Sequence, residues 1–190
     1  MKRIIKNILI SLSLYNPAKG VKISQERKAE VLLSYKEPTT NIFIETGTFQ
    51  GDMIEMLKKH FKDIYSVELD KNLYDAAMSR FNGEDNIHLY CGDSAEEIGN
   101  ILKQITSTAL IWLDAHASGD IDFKNSPIEA ELRAIFNHLV KGHIILIDDA
   151  RHFNMSDIRK IKKMAKDNNY KFLINEGLFR LTPVFKNSLK

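Results

Sequence analysis

From residue 24 onward, short apolar runs alternate with longer amphipathic segments. The runs are NIFIET (41–46), IYSVEL (64–69), IHLYC (87–91), ALIWLD (109–114) and HIILID (143–148), each of strand length and bounded by polar or turn-forming residues. A helical stretch, SQERKAEVLLSY, precedes the first of them, and helical periodicity over about 51–61, 71–82, 94–105 and 127–140 joins the rest. Connections of that length keep successive strands parallel. With right-handed crossovers they give an α/β fold, a doubly wound sheet of five buried parallel strands with helices on both faces. After a further helix near 156–168, YKFLINEGLFRLTP reads as two strands about an Asn-Glu-Gly turn, a C-terminal antiparallel β-hairpin.

Residues 1–22 stand apart as an amphipathic arm. Ile4, Ile5, Ile8, Leu9 and Leu12 recur at helical spacing, with Lys2, Arg3 and Lys6 offset from them. A basic start followed by apolar residues imitates a secretory signal, but the apolar part is short and interrupted, and no small-x-small cleavage site follows in NPAKG. Nothing in the chain approaches the roughly 20 apolar residues of a membrane span. The arm reads as a helix packed on its own domain or on a homodimer partner, with a lid or membrane-surface helix as the other reading. Residues 23–190 read as one domain, and a cytoplasmic location is expected.

Composition narrows the partners. The 190 residues carry 27 Lys and Arg against 25 Asp and Glu, and a net charge of +2 gives no electrostatic reason to expect nucleic acid. A small-molecule substrate is the expectation. Cys91 is the single cysteine, which excludes a disulfide framework or a Cys-rich zinc site. Inside IHLYC it reads as a buried structural thiol.

The chemistry begins after the first strand, in ETGTFQG, where Glu45, Gly47 and Gly51 form an acidic-x-Gly-x-x-x-Gly loop. This loop and the sheet with its terminal hairpin resemble the class I S-adenosylmethionine-dependent methyltransferases, a Rossmann-like family. The resemblance implies that Gly47 lets the cofactor's amino-acid tail approach, that Gly51 lets the next helix start tight against the strand, and that Glu45 answers the ligand's ammonium group. Phe49 stands where the family often has another glycine. YSVELD ends the second strand with Glu68, at the distance expected of a carboxylate that accepts both ribose hydroxyls of an adenosine. Asp70 fits better as the N-cap of the next helix. Asp93 and Ser94, in CGDSAEE, match the family's adenine-edge position and can equally cap the helix that follows. A nicotinamide-dependent oxidoreductase would instead want Gly-x-Gly-x-x-Gly, and a carboxylate such as Glu45 beside a diphosphate is unfavourable.

Strands four and five end in WLDAH and LIDDARHF, which brings Asp114, Asp148 and Asp149 around one crevice. Carboxylates converging there repel one another unless a cation or proton compensates, and a divalent metal is the economical answer. The arrangement resembles the metal-dependent O-methyltransferases, above all the branch acting on sugar hydroxyls, with an Asp-Asp pair ending strand five. That resemblance implies Mg²⁺ or a similar cation on Asp114, Asp148 and Asp149, with Asp114 also bordering the cofactor, and a sugar-like acceptor or glycoside. Where the branch has a carboxylate base two residues after the first ligand, this chain has His116, the candidate general base; a metal ligand or a hydrogen bond to one of the Asp ligands are its other readings. Arg151 and His152 follow the acidic pair and can orient substrate, pair with Asp114 or form a simple salt bridge. The loop ASGDIDFKNSP (117–127) reads as a mobile substrate wall. The competing function is a relative without activity that keeps the cofactor pocket for sensing or scaffolding.

Overall fold

The computed structural model describes residues 22–115 and 126–184. All five apolar runs are strands: β1 Ile42–Thr46, β2 Asp63–Glu68, β3 Ile87–Cys91, β4 Ala109–Leu113 and β5 Ile144–Ile147. The hairpin supplies β6 Tyr170–Asn175 and β7 Leu178–Pro183. Its turn residues, Glu176 and Gly177, have φ of 52° and 75°, the left-handed pair that matches the twist of a two-residue hairpin. One sheet results, in the order β3-β2-β1-β4-β5-β7-β6, with β7 antiparallel to β5 and to β6 and the other pairings parallel.

The helices are α1 Gln25–Ser34, α2 Asp52–Leu57, α3 Lys71–Arg80, α4 Ser94–Leu102, α5 Ile128–Asn137 and α6 Met155–Asp167. Alternation along the strands divides them between two cores. Phe43, Ile64, Leu110, Trp112 and Leu146 pack against α1, α2 and α3. Ile42, Ile44, Ile111, Leu113, Ile145 and Ile147 pack against α4, α5 and α6. Helices therefore cover both faces, and the strand order reverses between β1 and β4, where a doubly wound sheet opens a crevice at its carboxyl edge.

Two expectations change. β3 is an edge strand with only half-buried side chains, and Cys91 at its end is exposed, because among the described residues no further strand pairs with it. The buried-thiol reading is corrected accordingly. The arm's residues 1–21 lie outside the described residues. Among the described residues no helix is long and apolar enough to cross a membrane.

Candidate active site

A cleft of about 1550 Å³ opens along the carboxyl edge of the sheet, running from Glu68 and Asp93 past Gly47 to Asp114, Asp148 and Lys28. Its centre is the β1 loop. Gly47 has φ 87°, and a Cβ there would lie 2.7 Å from the carbonyl oxygen of Asp114, so this loop is pressed onto the end of β4 and only glycine fits. Gly51 has φ 80° and meets the ring of Phe81 rather than the strand: a Cβ would approach it to 2.6 Å. Phe49, in the family's glycine position, also takes a positive φ, 48°, and is exposed. Such a conformation costs about 1 kcal/mol in a non-glycine residue.

What holds Phe49 there is Glu68. The Glu68 carboxylate accepts the Phe49 N–H at 2.7 Å on one oxygen and the Asp70 N–H at 2.9 Å on the other, so its orientation is fixed while it lines the cleft. Asp70 caps α3, accepting the N–H groups of Asn72 and Leu73. Asp93 caps α4 through the Ala95 N–H, and both it and buried Ser94 line the cleft. Capping and lining are thus compatible in one residue.

Glu45 is 1% exposed. It accepts a hydrogen bond from the Ser66 hydroxyl at 2.7 Å, and Ser66 in turn is 2.5 Å from the Thr48 hydroxyl. Burial pushes the Glu45 carboxyl up to about 8; the Ser66 hydrogen bond opposes this and the neighbouring Glu68 charge adds to it. A cation arriving beside such a group favours its ionised form, the proton leaving to solvent.

At the other end, Asp114, Asp148 and Asp149 do share one side of the cleft. Asp148 meets a partner from outside the two strand-end loops, while Asp149 makes the simple salt bridge that was one reading of Arg151. Asp148, 2% exposed, accepts the Asp149 N–H on one oxygen and contacts the Lys28 ammonium with the other. Asp149, at φ 49°, pairs with Arg151 at 2.8 Å, and His152 lies 3.8 Å from it. Burial, reinforced by Asp148, raises the Asp114 carboxyl to about 9, with Lys28 working against the rise. Among the described residues no three His, Cys, Asp or Glu side chains form a group able to hold a metal ion. Asp148 and Asp149 each face an internal cation, Lys28 and Arg151. The acidic pair does not cap α6, whose N-cap is Asn154. His116 and residues 117–125 of the expected loop lie outside the described residues.

Two contributors escaped the sequence reading. Lys28 comes from α1, before the first strand, and Glu131 from α5, where it is fully buried beside Ser94 and Thr46. Neither Glu131 oxygen, nor Thr46 Oγ1, completes a hydrogen bond among the described residues. Burial raises the Glu131 carboxyl to about 7, the Ser94 and Thr46 hydroxyls opposing. A signal for both existed: Lys28 is four residues before Leu32, and Glu131 is three after Ile128 and four before Ile135. Each charge lies on the buried stripe of its helix.

No family model and no curated protein matches the chain. Solved structures do. A methyltransferase of Podospora anserina bound to S-adenosylhomocysteine is similar at TM-score 0.62 and 14% identity, over 86% of this chain and 80% of that one. An O-methyltransferase of Bacillus cereus, also in complex with S-adenosylhomocysteine, is similar at TM-score 0.59 and 14% identity, over 93% and 89%. An aminopentose methyltransferase of Micromonospora echinaspora is matched over 65% of this chain and 48% of its own length, at TM-score 0.48 and 17% identity. The chain has the class I methyltransferase fold. In this fold the carboxyl edge that carries Gly47, Glu68 and Asp93 is the edge on which the cleft was found.

Proposed function

We propose that the chain is an S-adenosylmethionine-dependent methyltransferase acting on a hydroxyl of a small, sugar-like molecule. The observation that carries this reading is one continuous cleft that joins a fixed carboxylate, Glu68, to a polar end at Asp114, Asp148 and Lys28 across a loop with no room for a side chain at Gly47. Glu68 keeps lone pairs for two ribose hydroxyls, Asp93 and Ser94 face the adenine edge, and Glu45 releases its proton to meet the ligand's ammonium. Bound there, the cofactor supplies an electrophilic methyl on sulfur, which the acceptor oxygen takes as the carbon–sulfur bond breaks. The polar end orients the acceptor hydroxyl, and His116 is the candidate to receive its proton. No step is assigned to a divalent metal, because Asp148 and Asp149 already face Lys28 and Arg151.

Titration calorimetry with S-adenosylhomocysteine tests the reading. Binding in the micromolar range is expected, weakened in Glu68→Ala by about 1.5 to 3 kcal/mol, the cost of hydrogen bonds lost from a charged group. Tight binding of NADH with none of S-adenosylhomocysteine would sink it.

A further inference from the structure

Acids at adjacent strand ends need compensating charge, since each raises the proton affinity of its neighbours. In this chain the compensation comes from within the fold. Lys28 extends from α1 to contact Asp148 Oδ2; the lysine side chain is 12% exposed and that of Asp148 only 3%. Its ammonium stands 5.9 Å from the centre of the Trp112 ring, a side chain buried in the core between the sheet and α1. The cation is therefore seated against an aromatic wall and a buried carboxylate rather than in open water, where such a pair would contribute little. Asp149 is engaged separately, by Arg151.

We propose that the Lys28 ammonium is the resident cation of this acidic site, filling the charge position that a divalent ion would otherwise take, so that the site needs no metal. An ammonium has three N–H donors, and among the described residues Asp148 is the one hydrogen-bond partner of the Lys28 ammonium. The remaining donors are left for an oxygen of whatever molecule binds at this end of the cleft. Resting on the methyl-transfer reading, that oxygen is the acceptor hydroxyl, whose developing negative charge the fixed ammonium stabilises.

Manganese(II) binding, read from the free-ion electron paramagnetic resonance signal, tests this without any acceptor. Wild-type protein leaves Mn²⁺ free up to about 1 mM, the weak end of protein oxygen-ligand sites, and Lys28→Arg, which keeps the charge, behaves alike. Lys28→Met, which keeps the stem and removes the charge, gains one Mn²⁺ site; adding Asp148→Asn removes it again. Saturable Mn²⁺ binding by the wild type that is lost in Asp148→Asn overturns the proposal, and so does a folded Lys28→Met protein that binds no Mn²⁺. Lys28→Gln replaces the methionine variant if circular dichroism shows that one unfolded. Calorimetry with S-adenosylhomocysteine on the same samples separates the two readings: absent cofactor binding alongside the expected Mn²⁺ pattern removes the methyl-transfer reading and leaves the Lys28 assignment standing.

Discussion

The backbone of Gly47 is packed onto that of Asp114: a Cβ at position 47 would lie 2.7 Å from the Asp114 carbonyl oxygen and 3.0 Å from its carbon. Neither atom belongs to a flexible side chain that can move aside. Gly47→Ala must therefore shift the β1 loop away from β4, in addition to straining a φ of 87°. A stability loss of about 1 to 3 kcal/mol in urea denaturation is expected, with a large drop in S-adenosylhomocysteine affinity even where the protein remains folded. Unchanged affinity in a folded Gly47→Ala protein would show that the loop's position does not govern the cofactor end of the cleft.

Placing the cofactor's ammonium beside Glu45 predicts that binding releases a proton. Its carboxyl, held near 8 by burial, is mostly protonated at pH 7, and an arriving ammonium favours the ionised form. Calorimetry at pH 7 in two buffers of different ionisation enthalpy should report release of close to one proton per S-adenosylhomocysteine bound. Glu45→Gln should release none and bind more weakly. Equal proton release in the two proteins would rule this role out.

Glu131 costs the fold stability at neutral pH. Burial raises its carboxyl from 4.5 to about 7, so between those values the folded state holds a proton that the unfolded state has lost. The contribution is fully present below the unfolded value, declines as pH rises, and is gone above the folded one. Relative to Glu131→Gln, wild type should lose on the order of 2 to 3 kcal/mol between pH 4.5 and 7. Denaturation midpoints across that range check it. Parallel pH profiles for the two proteins would mean that the carboxyl does not titrate in this window.

His116, as the base that takes the hydroxyl proton, predicts that His116→Ala lowers turnover by roughly 10²- to 10⁴-fold with cofactor affinity unaltered, and that the acidic limb of the pH–rate profile disappears. An acidic limb that survives in the variant would reject the role.

How much of this was legible in the sequence follows from what each residue type needs. The five apolar runs could be read as strands and the segments between them as crossovers, because a period of two and a period near 3.6 are properties of the chain itself. The places of Gly47 and Glu68 on the cleft could be read because a loop after a strand and a strand end position them without help from distant residues, whereas the neighbour of Gly51, Phe81, could not. Asp70 showed itself as a cap for the same reason, and the structure confirms it. Cys91 was misjudged, since an apolar run looks the same at an edge as in the middle of a sheet, and strand order is a long-range property.

The ends of β4 and β5 mark the boundary most clearly. The sequence alone determined that Asp114, Asp148 and Asp149 would meet, because two adjacent parallel strands end together. It offered Arg151, next along the same loop, as a salt-bridge partner, but it could not determine that Lys28 would face Asp148. Lys28 is 120 positions from Asp148 in the chain and reaches it only because α1 lies against the same face of the sheet as Trp112. Glu131 reaches Thr46 and Ser94 through the packing of α5 beneath the strand ends. Periodicity reports which face of a helix is buried, but the partner of a buried charge is fixed by helix placement, and that is decided by the packing of the whole core.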